Sequence, residues 1–337
     1  MNKAKYRITT TEYELKEGLF GQIVLYVFEI LPFLYSKSIF PEWDIKSTLY
    51  GTGPHYTVIP GVFDIAYEQQ NGPVQTISLA KLREQQISVL GGDWQYLHEL
   101  WHFYFKIPTR IINYANEIGD LSFSLGIHYR GNDKNKALWD TNPVAHDEYL
   151  TLTNDFIARH PDIKSIFVAT DEYAFVEKIK QHFKSSEIIN LGAVEFHKNS
   201  HNVPQKADRA VLDCLLLSRC KYLIMTSSAL SGFTKVLNPN LECYRVSASK
   251  FFIDIPYFPV AYIPRLTSED PECERILTKL FEGDWLENEK ANRKFNNGFR
   301  TKKRYILPAG LRNTLYLPVR LKNSLINRIY KFVTSNN

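Results

Sequence analysis

The chain has 337 residues, long for one core and suited to two domains of ordinary size, and its 44% hydrophobic and 23% charged residues mark a globular protein rather than a disordered one. Its four cysteines, Cys214, Cys220, Cys243 and Cys273, are too few and too scattered for a disulfide framework or a zinc ribbon, and read as free thiols of a reducing compartment. The net charge of +5 conceals a division: 12 of the 41 Lys and Arg but none of the 36 Asp and Glu lie in residues 290–337, which leaves an acidic body of 29 basic and 36 acidic groups.

The opening MNKAKYRITTTEYELKEG lacks an apolar stretch of signal-peptide length, so a cytoplasmic protein is expected. The apolar run from Ile23 to Tyr35 contains Glu29 and Pro32 and is too short to span a bilayer. It follows a glycine-containing turn, Glu17-Gly18-Leu19-Phe20-Gly21-Gln22, which predicts a turn handing over to a helix whose first N–H groups face a ligand. Strand-like fragments from Tyr56 to Tyr67 and from Val74 to Leu79 predict a first sheet, and Asp93 to Ile118 reads as helical with an interruption at Pro108.

From Leu121 onward strand and helix signals alternate. Strands are expected at Leu121–Ile127, Ser165–Thr170, Glu187–Leu191 and Lys221–Thr226, with helices near Ala145–Ala158, Glu172–Phe183 and Ala207–Cys220 between them. Apolar strands separated by helices of one to four turns predict a mostly parallel, doubly wound sheet.

Three of these strands end on polar residues: His128-Tyr129-Arg130 with Asp133, Thr170-Asp171-Glu172, and Thr226-Ser227-Ser228. Ligands of open α/β sheets sit at the carboxyl ends of strands, so these are candidate site residues. Arg130 can hold a pyrophosphate bidentately and His128 can hydrogen-bond a base or sugar; the plain alternative is that they cap a strand. Asp213 lies among apolar neighbours in VLDCLLLSRC, where a carboxylate needs a partner. That partner is a guanine edge, Arg209 or Arg219, and composition alone favours an internal arginine.

The runs GIHYRGNDK, His146-Asp147-Glu148-Tyr149-Leu150, FVATDE and VLDCLLLSRCKYLIMTSSALS, in this order and spacing, resemble the GDP-fucose fucosyltransferase superfamily, typified by the nodulation and core α1,6-fucosyltransferases. The likeness covers about Leu121 to Val246; the turn at Gly18 is similar to the family's N-terminal turn but less specific. It implies an α/β fold of GT-B architecture, two facing Rossmann-like domains with a basic C-terminal extension. The expected division is residues 1–119 on the acceptor side, 120–265 binding the GDP-sugar, and a helical, basic 266–337. It further implies an inverting transfer from GDP-fucose or a related GDP-sugar to a glycan or lipid-linked glycan, without metal or other cofactor. By position, Arg130 grips the β-phosphate, and His128 and Asp213 read the guanine. Asp133 and Asp171 hold the arginine and its loop, and Thr226, Ser227 and Ser228 line the phosphate or base pocket. An arginine at the leaving diphosphate can replace a metal.

The chain departs from the core α1,6 subgroup at two positions. Gly131 stands where that subgroup has a second arginine, and Leu138 where it has a catalytic glutamate. A general base on the acceptor hydroxyl is typically worth about 10² to 10⁴ in rate, so another is needed. Glu17, which matches a glutamate at the N-terminal turn of wider relatives, is the leading candidate and Asp140 the reserve; a solvated loop carboxylate beside Lys16 is the plain reading of Glu17. The missing glutamate also keeps open a non-catalytic GDP-sugar-binding protein.

A separate signal, His98-Glu99-Leu100-Trp101-His102, satisfies the zinc-protease pattern HExxH, yet no third ligand stands at a usual distance and the aromatic surroundings suit a packing helix. In the tail, Arg320 to Val333 places Leu321, Leu325, Ile329 and Phe332 near one helical face with Lys322, Arg328 and Lys331 off it. This pattern fits docking on the body or on an anionic membrane surface, where each basic residue is worth about 1 kcal/mol; no nucleic-acid motif accompanies it.

Overall fold

The computed structural model describes residues 5–10, 18–25, 30–51, 57–68, 74–78, 94–131, 144–192, 203–226, 228–247 and 261–264, all within one compact unit, Met1–Asn288. Residues 265–337, with the amphipathic stretch Arg320 to Val333, lie outside them.

The chain opens with β1 (Lys5–Thr9), α1 (Leu19–Leu25), α2 (Leu31–Ser36), β2 (Glu42–Lys46) and β3 (Thr57–Ile59). It continues through β4 (Asp64–Ile65), β5 (Val74–Ser78), α3 (Trp94–Tyr104), β6 (Phe105–Lys106) and α4 (Thr109–Glu117). A four-stranded sheet has the order β3-β2-β1-β5, with β1 parallel to β2 and β5 and β3 antiparallel at the edge. In β2 the pattern is half-buried: Trp43 and Ile45 face the core while Glu42, Asp44 and Lys46 alternate with them. The strand-like stretch Tyr56 to Tyr67 proves to be two short strands, because Pro60 and Gly61 break it, and β4 pairs instead with β6. The helical stretch Asp93 to Ile118 is interrupted earlier than Pro108: Phe105 and Lys106 leave the helix to form β6.

The second sheet is built from β7 (Ser124–Tyr129), β8 (Ser165–Thr170), β9 (Glu187–Ile189), β10 (Tyr222–Met225), β11 (Glu242–Ser247) and β12 (Ala261–Pro264). Between them run α5 (His146–Arg159), α6 (Tyr173–His182), α7 (Val203–Arg219) and α8 (Ala229–Leu237). All six strands are parallel in the order β12-β11-β10-β7-β8-β9, which in chain order is the 3-2-1-4-5-6 winding of dinucleotide-binding sheets. Every residue of β7, β8 and β10 is buried, as expected for strands covered by helices on both faces, and this is why they read as unbroken apolar runs. Gly126 lets α7 approach β7 closely, since a Cβ there would meet Leu217 Cδ2 at 3.1 Å and Cys220 Sγ at 3.2 Å.

The two sheets lie on either side of residue 120, yet hydrophobic packing is continuous between them. Leu97, Leu100, Trp101 and Tyr104 bury one face of α3, and Phe233 of α8 packs on Trp101 at 4.8 Å and on Phe20 of α1 at 5.5 Å between ring centroids. Ile8 and Trp43 of the first sheet and Phe167 and Met225 of the second belong to that same cluster. A separate cluster on the other face of the second sheet joins Tyr129, Tyr149, Phe156 and Phe175. Cys214, Cys220 and Cys243 are buried free thiols. Among the described residues no helix is long and apolar enough to cross a membrane.

Phe233, fully buried where the two sheets share their core, sets a test of this packing. Phe233→Ala is expected to lower unfolding stability by about 3–5 kcal/mol, read from urea denaturation curves of variant and parent.

Candidate functional site

The strand order reverses between β7 and β10, the switch point at which open α/β sheets bind their ligands. Their ends are tied there. Thr226 N–H donates to His128 O at 3.0 Å, and Arg130 N–H donates to Thr226 Oγ1 at 3.1 Å. From the other neighbour, β8, the Asp171 carboxylate accepts the Gly131 N–H at 3.1 Å. The chain leaving β7 is therefore held from both sides as Arg130 emerges.

A cleft holding about 600 Å³ of space, open to solvent, lies over this point. His128, Arg130, Thr170, Asp171, Asp213 and Ser228 line it from the second sheet and its helices, and Gly18, Leu19, Phe20, Gly21 and Tyr50 line it from the N-terminal part. Of the candidate residues, His128, Arg130, Asp171, Asp213 and Ser228 thus meet in one place, while Thr226 stands behind Arg130 and holds its backbone. Glu17, Asp133, Asp140, Ser227 and Leu138 lie outside the described residues.

Two polar atoms of this wall are buried without a partner among the described residues, His128 Nδ1 and Ser228 Oγ. A buried polar atom left unpaired costs about 1–3 kcal/mol, so two on one cleft indicate places for ligand atoms. Burial, reinforced by the nearby Arg130 charge, pushes the His128 imidazole down to about 3, so the ring is neutral at pH 7 and offers one donor and one acceptor nitrogen. Ser228 occupies the N-cap of α8 without capping it through its side chain.

Asp213 is 3% exposed and has the internal partner weighed from the sequence: Arg209 Nε donates to its Oδ1 at 2.8 Å. Arg219, the other candidate, donates to Asn116 Oδ1 instead. The rest of the Arg209 guanidinium donates to Leu191 O and Gly192 O, both at 2.7 Å, and so fastens the segment after β9 to α7. Burial, only partly offset by Arg209, pushes the Asp213 carboxyl up to about 6. Arg209 engages Oδ1, and a carboxylate has lone pairs for further donors from the cleft it lines.

The pair His98 and His102 is on α3, with ring centroids 4.4 Å apart. His98 Nδ1 lies 2.8 Å from Val236 O, Glu99 is exposed and accepts from Gln95, and among the described residues no group of three His, Cys, Asp or Glu could hold a metal ion. Sequence reasoning missed Tyr50, which comes from a loop carrying no motif, and the contact between Gly131 and Glu172 described below.

No protein-family model and no curated protein matches the chain. Similar solved structures include NodZ α1,6-fucosyltransferase co-crystallised with GDP, at 14% identity over 71% of this chain and 94% of that one with a TM-score of 0.43. An Arabidopsis thaliana FUT1 mutant in complex with GDP is 12% identical over 76% of this chain and 73% of that one, with a TM-score of 0.42. POFUT1 in complex with GDP-fucose is 13% identical over 71% and 73%, with a TM-score of 0.37. Similarities this low carry no weight in the functional reading, which rests on the chain's own residues.

Proposed function

We propose that the chain is an inverting, metal-independent glycosyltransferase that moves fucose or a related sugar from a GDP-sugar to a glycan hydroxyl in cell-surface glycan synthesis. The observation that carries this is the convergence of a permanent cation, a neutral buried imidazole, a buried carboxylate and a hydroxyl without a partner among the described residues on the cleft at the switch point. Two of the sequence motifs that resemble GDP-fucose fucosyltransferases supply all four groups, His128 and Arg130 from GIHYRGNDK and Asp213 and Ser228 from VLDCLLLSRCKYLIMTSSALS.

In this reading the Asp213 carboxylate accepts the N1–H and N2–H of guanine and His128 Nδ1 meets another polar atom of the nucleoside. Arg130 and Ser228 bind the diphosphate. The acceptor oxygen attacks the anomeric carbon, the bond from that carbon to the β-phosphate oxygen breaks, and GDP departs with the electron pair. Arg130 stabilises the charge growing on that oxygen, the role a metal fills elsewhere. The acceptor proton passes to a carboxylate, with Glu17 first and Asp140 second as candidates, while Asp133 supports the donor loop and Ser227 lines the phosphate or base pocket. Residues 1–119 face the acceptor, and the basic residues 290–337 favour a cytoplasmic enzyme meeting a lipid-linked acceptor at the inner membrane face.

Melting temperatures with GDP, UDP, ADP and CMP, with and without EDTA, test the donor assignment. At a hundred times its dissociation constant a ligand stabilises the fold by about 2.7 kcal/mol, and only GDP is expected to do so, with EDTA without effect. Arg130→Ala is expected to weaken GDP binding by about 10- to 100-fold. Stabilisation by all four nucleotides alike, or loss of stability in EDTA alone, overturns the assignment.

The buried carboxylate gives the binding a pH dependence. Guanine needs Asp213 ionised, so GDP affinity is complete above about pH 7 and falls as pH drops through about 6, by about tenfold per unit below that. His128, already neutral, adds nothing between pH 5 and 7. The terminal phosphate of GDP titrates nearby, so the measured quantity is the difference between parent and Asp213→Asn, whose weaker binding is expected to lose this component.

For the base, GDP release with a GDP-sugar and acceptor is expected to slow about 10²- to 10⁴-fold in Glu17→Gln while GDP binding is kept. If Asp140→Asn shows that loss and Glu17→Gln does not, the roles are exchanged.

A further inference from the structure

Gly131 is buried and directly follows Arg130. The turn they form is anchored by Thr226 Oγ1 on the β10 side and by Asp171 Oδ1 on the β8 side. Its third neighbour is Glu172. A Cβ built on Gly131 would overlap the Glu172 carboxylate and come within 2.8 Å of Tyr129 Cε1, so the space of a side chain at 131 is already filled.

Glu172 has no freedom to move aside cheaply. Its Oε2 accepts from His146 Nε2 at 2.8 Å, and the two side chains are only 20% and 18% exposed. His146 opens α5 and its ring packs on Tyr129 at 5.0 Å and Phe175 at 5.2 Å. Tyr129 in turn stacks on Phe175 at 4.1 Å and donates its hydroxyl to Val144 O at 2.8 Å. The N–H of Glu172 donates to Thr170 Oγ1 at 3.1 Å, which fixes the backbone that carries the carboxylate.

We infer that Glu172, held by His146, is a positioning residue for Arg130. It takes the volume of the side chain that residue 131 lacks, and so sets the turn from which the guanidinium enters the cleft. The glycine and the glutamate are two halves of one fitted contact. A larger residue at 131 displaces Glu172, strands His146 and rotates Arg130 away from the ligand. This rests on the donor reading for what Arg130 does, and on geometry for how it is held.

The test is calorimetric GDP binding and the ligand-free melting temperature of the full chain and of Gly131→Ala, Glu172→Ala, Glu172→Gln and the double variant Gly131→Ala with Glu172→Ala. Gly131→Ala and Glu172→Ala are each expected to weaken GDP binding by about 10- to 100-fold, the scale of a misplacement near 1 Å. Glu172→Gln, which keeps shape and the His146 hydrogen bond, is expected to bind like the parent. The double variant is expected to lose less than the product of the single losses and to melt above Gly131→Ala, because the methyl group gains room.

Parent-like binding by Glu172→Ala, or a double variant no better than Gly131→Ala in either measurement, overturns the proposal. Should Gly131→Ala fail to fold, the pair Glu172→Ala and Glu172→Gln decides it. A parent chain that binds no GDP sinks the donor reading and with it the purpose assigned to the turn, while the melting temperatures still decide whether residues 131 and 172 share one space.

Discussion

The pairing of β7 with β10 is the constraint on which the rest of the site depends. It brings together two strands far apart in sequence, with His128 opposite Met225, and it is there that the winding reverses. Because side chains alternate faces with a period of two, a shift of one residue in this register would turn His128 to the opposite face and move Arg130 off Thr226. The ladder is buried on both faces, so such a shift would also drive every side chain of β7 into space packed for another. The crevice is therefore fixed by the same packing that stabilises the sheet, and its polar groups are set on a frame that does not adjust to them.

That frame carries groups that a stability argument alone would remove. Asp213 and Arg209 form a pair almost fully withdrawn from water, and a buried pair of this kind often stabilises no more than apolar residues of the same volume. Arg209 does more than neutralise the carboxylate, since it ties the carbonyls of Leu191 and Gly192 to α7 and so holds the wall of the cleft. His128 Nδ1 and Ser228 Oγ, which have no partner among the described residues, add an unfavourable term. The aromatic core of Trp101 and Phe233, which Phe20 joins from the cleft wall, offsets it. A site whose polar atoms are already desolvated and oriented gives up little when a ligand arrives.

How much of this was legible in the sequence follows from where each signal lies. The strands of the second sheet are covered on both faces, so β7, β8 and β10 stand out as apolar runs ending in polar residues, and those runs coincide with the strands to within about three residues. The first sheet was only half visible. Lys5–Thr9 and Glu42–Lys46 alternate apolar with charged residues over five positions, and a pattern that short is hidden among loops until a partner strand is known. The sequence offers Asp213 two arginines as internal partners, and helical spacing decides between them: Arg209 is one turn away on the same face, whereas Arg219 leans towards α4 and Asn116. Tyr50 gave no signal, because it reaches the cleft through chain reversal and not through any local pattern.

Gly131 and the HELWH string err in opposite directions, and for one reason. Compared with the core α1,6 subgroup, Gly131 looks like the loss of a functional side chain, yet the space is occupied by a carboxylate from 41 residues further on. HELWH looks like a functional gain, since its letters satisfy a metal-binding pattern, yet His98 is turned to the carbonyl of Val236 on α8 and Trp101 is buried between Phe63 and Phe233. A motif is a statement about neighbours along the chain, whereas a ligand meets neighbours in space. Where the fold brings distant residues into a position, as it brings Glu172 to residue 131, the letter at that position describes only half of the contact. What separates HELWH from His128 is the company each keeps in space: among the described residues no group of three His, Cys, Asp or Glu that could hold a metal ion forms, whereas His128 Nδ1 is buried on the cleft without a partner among the described residues.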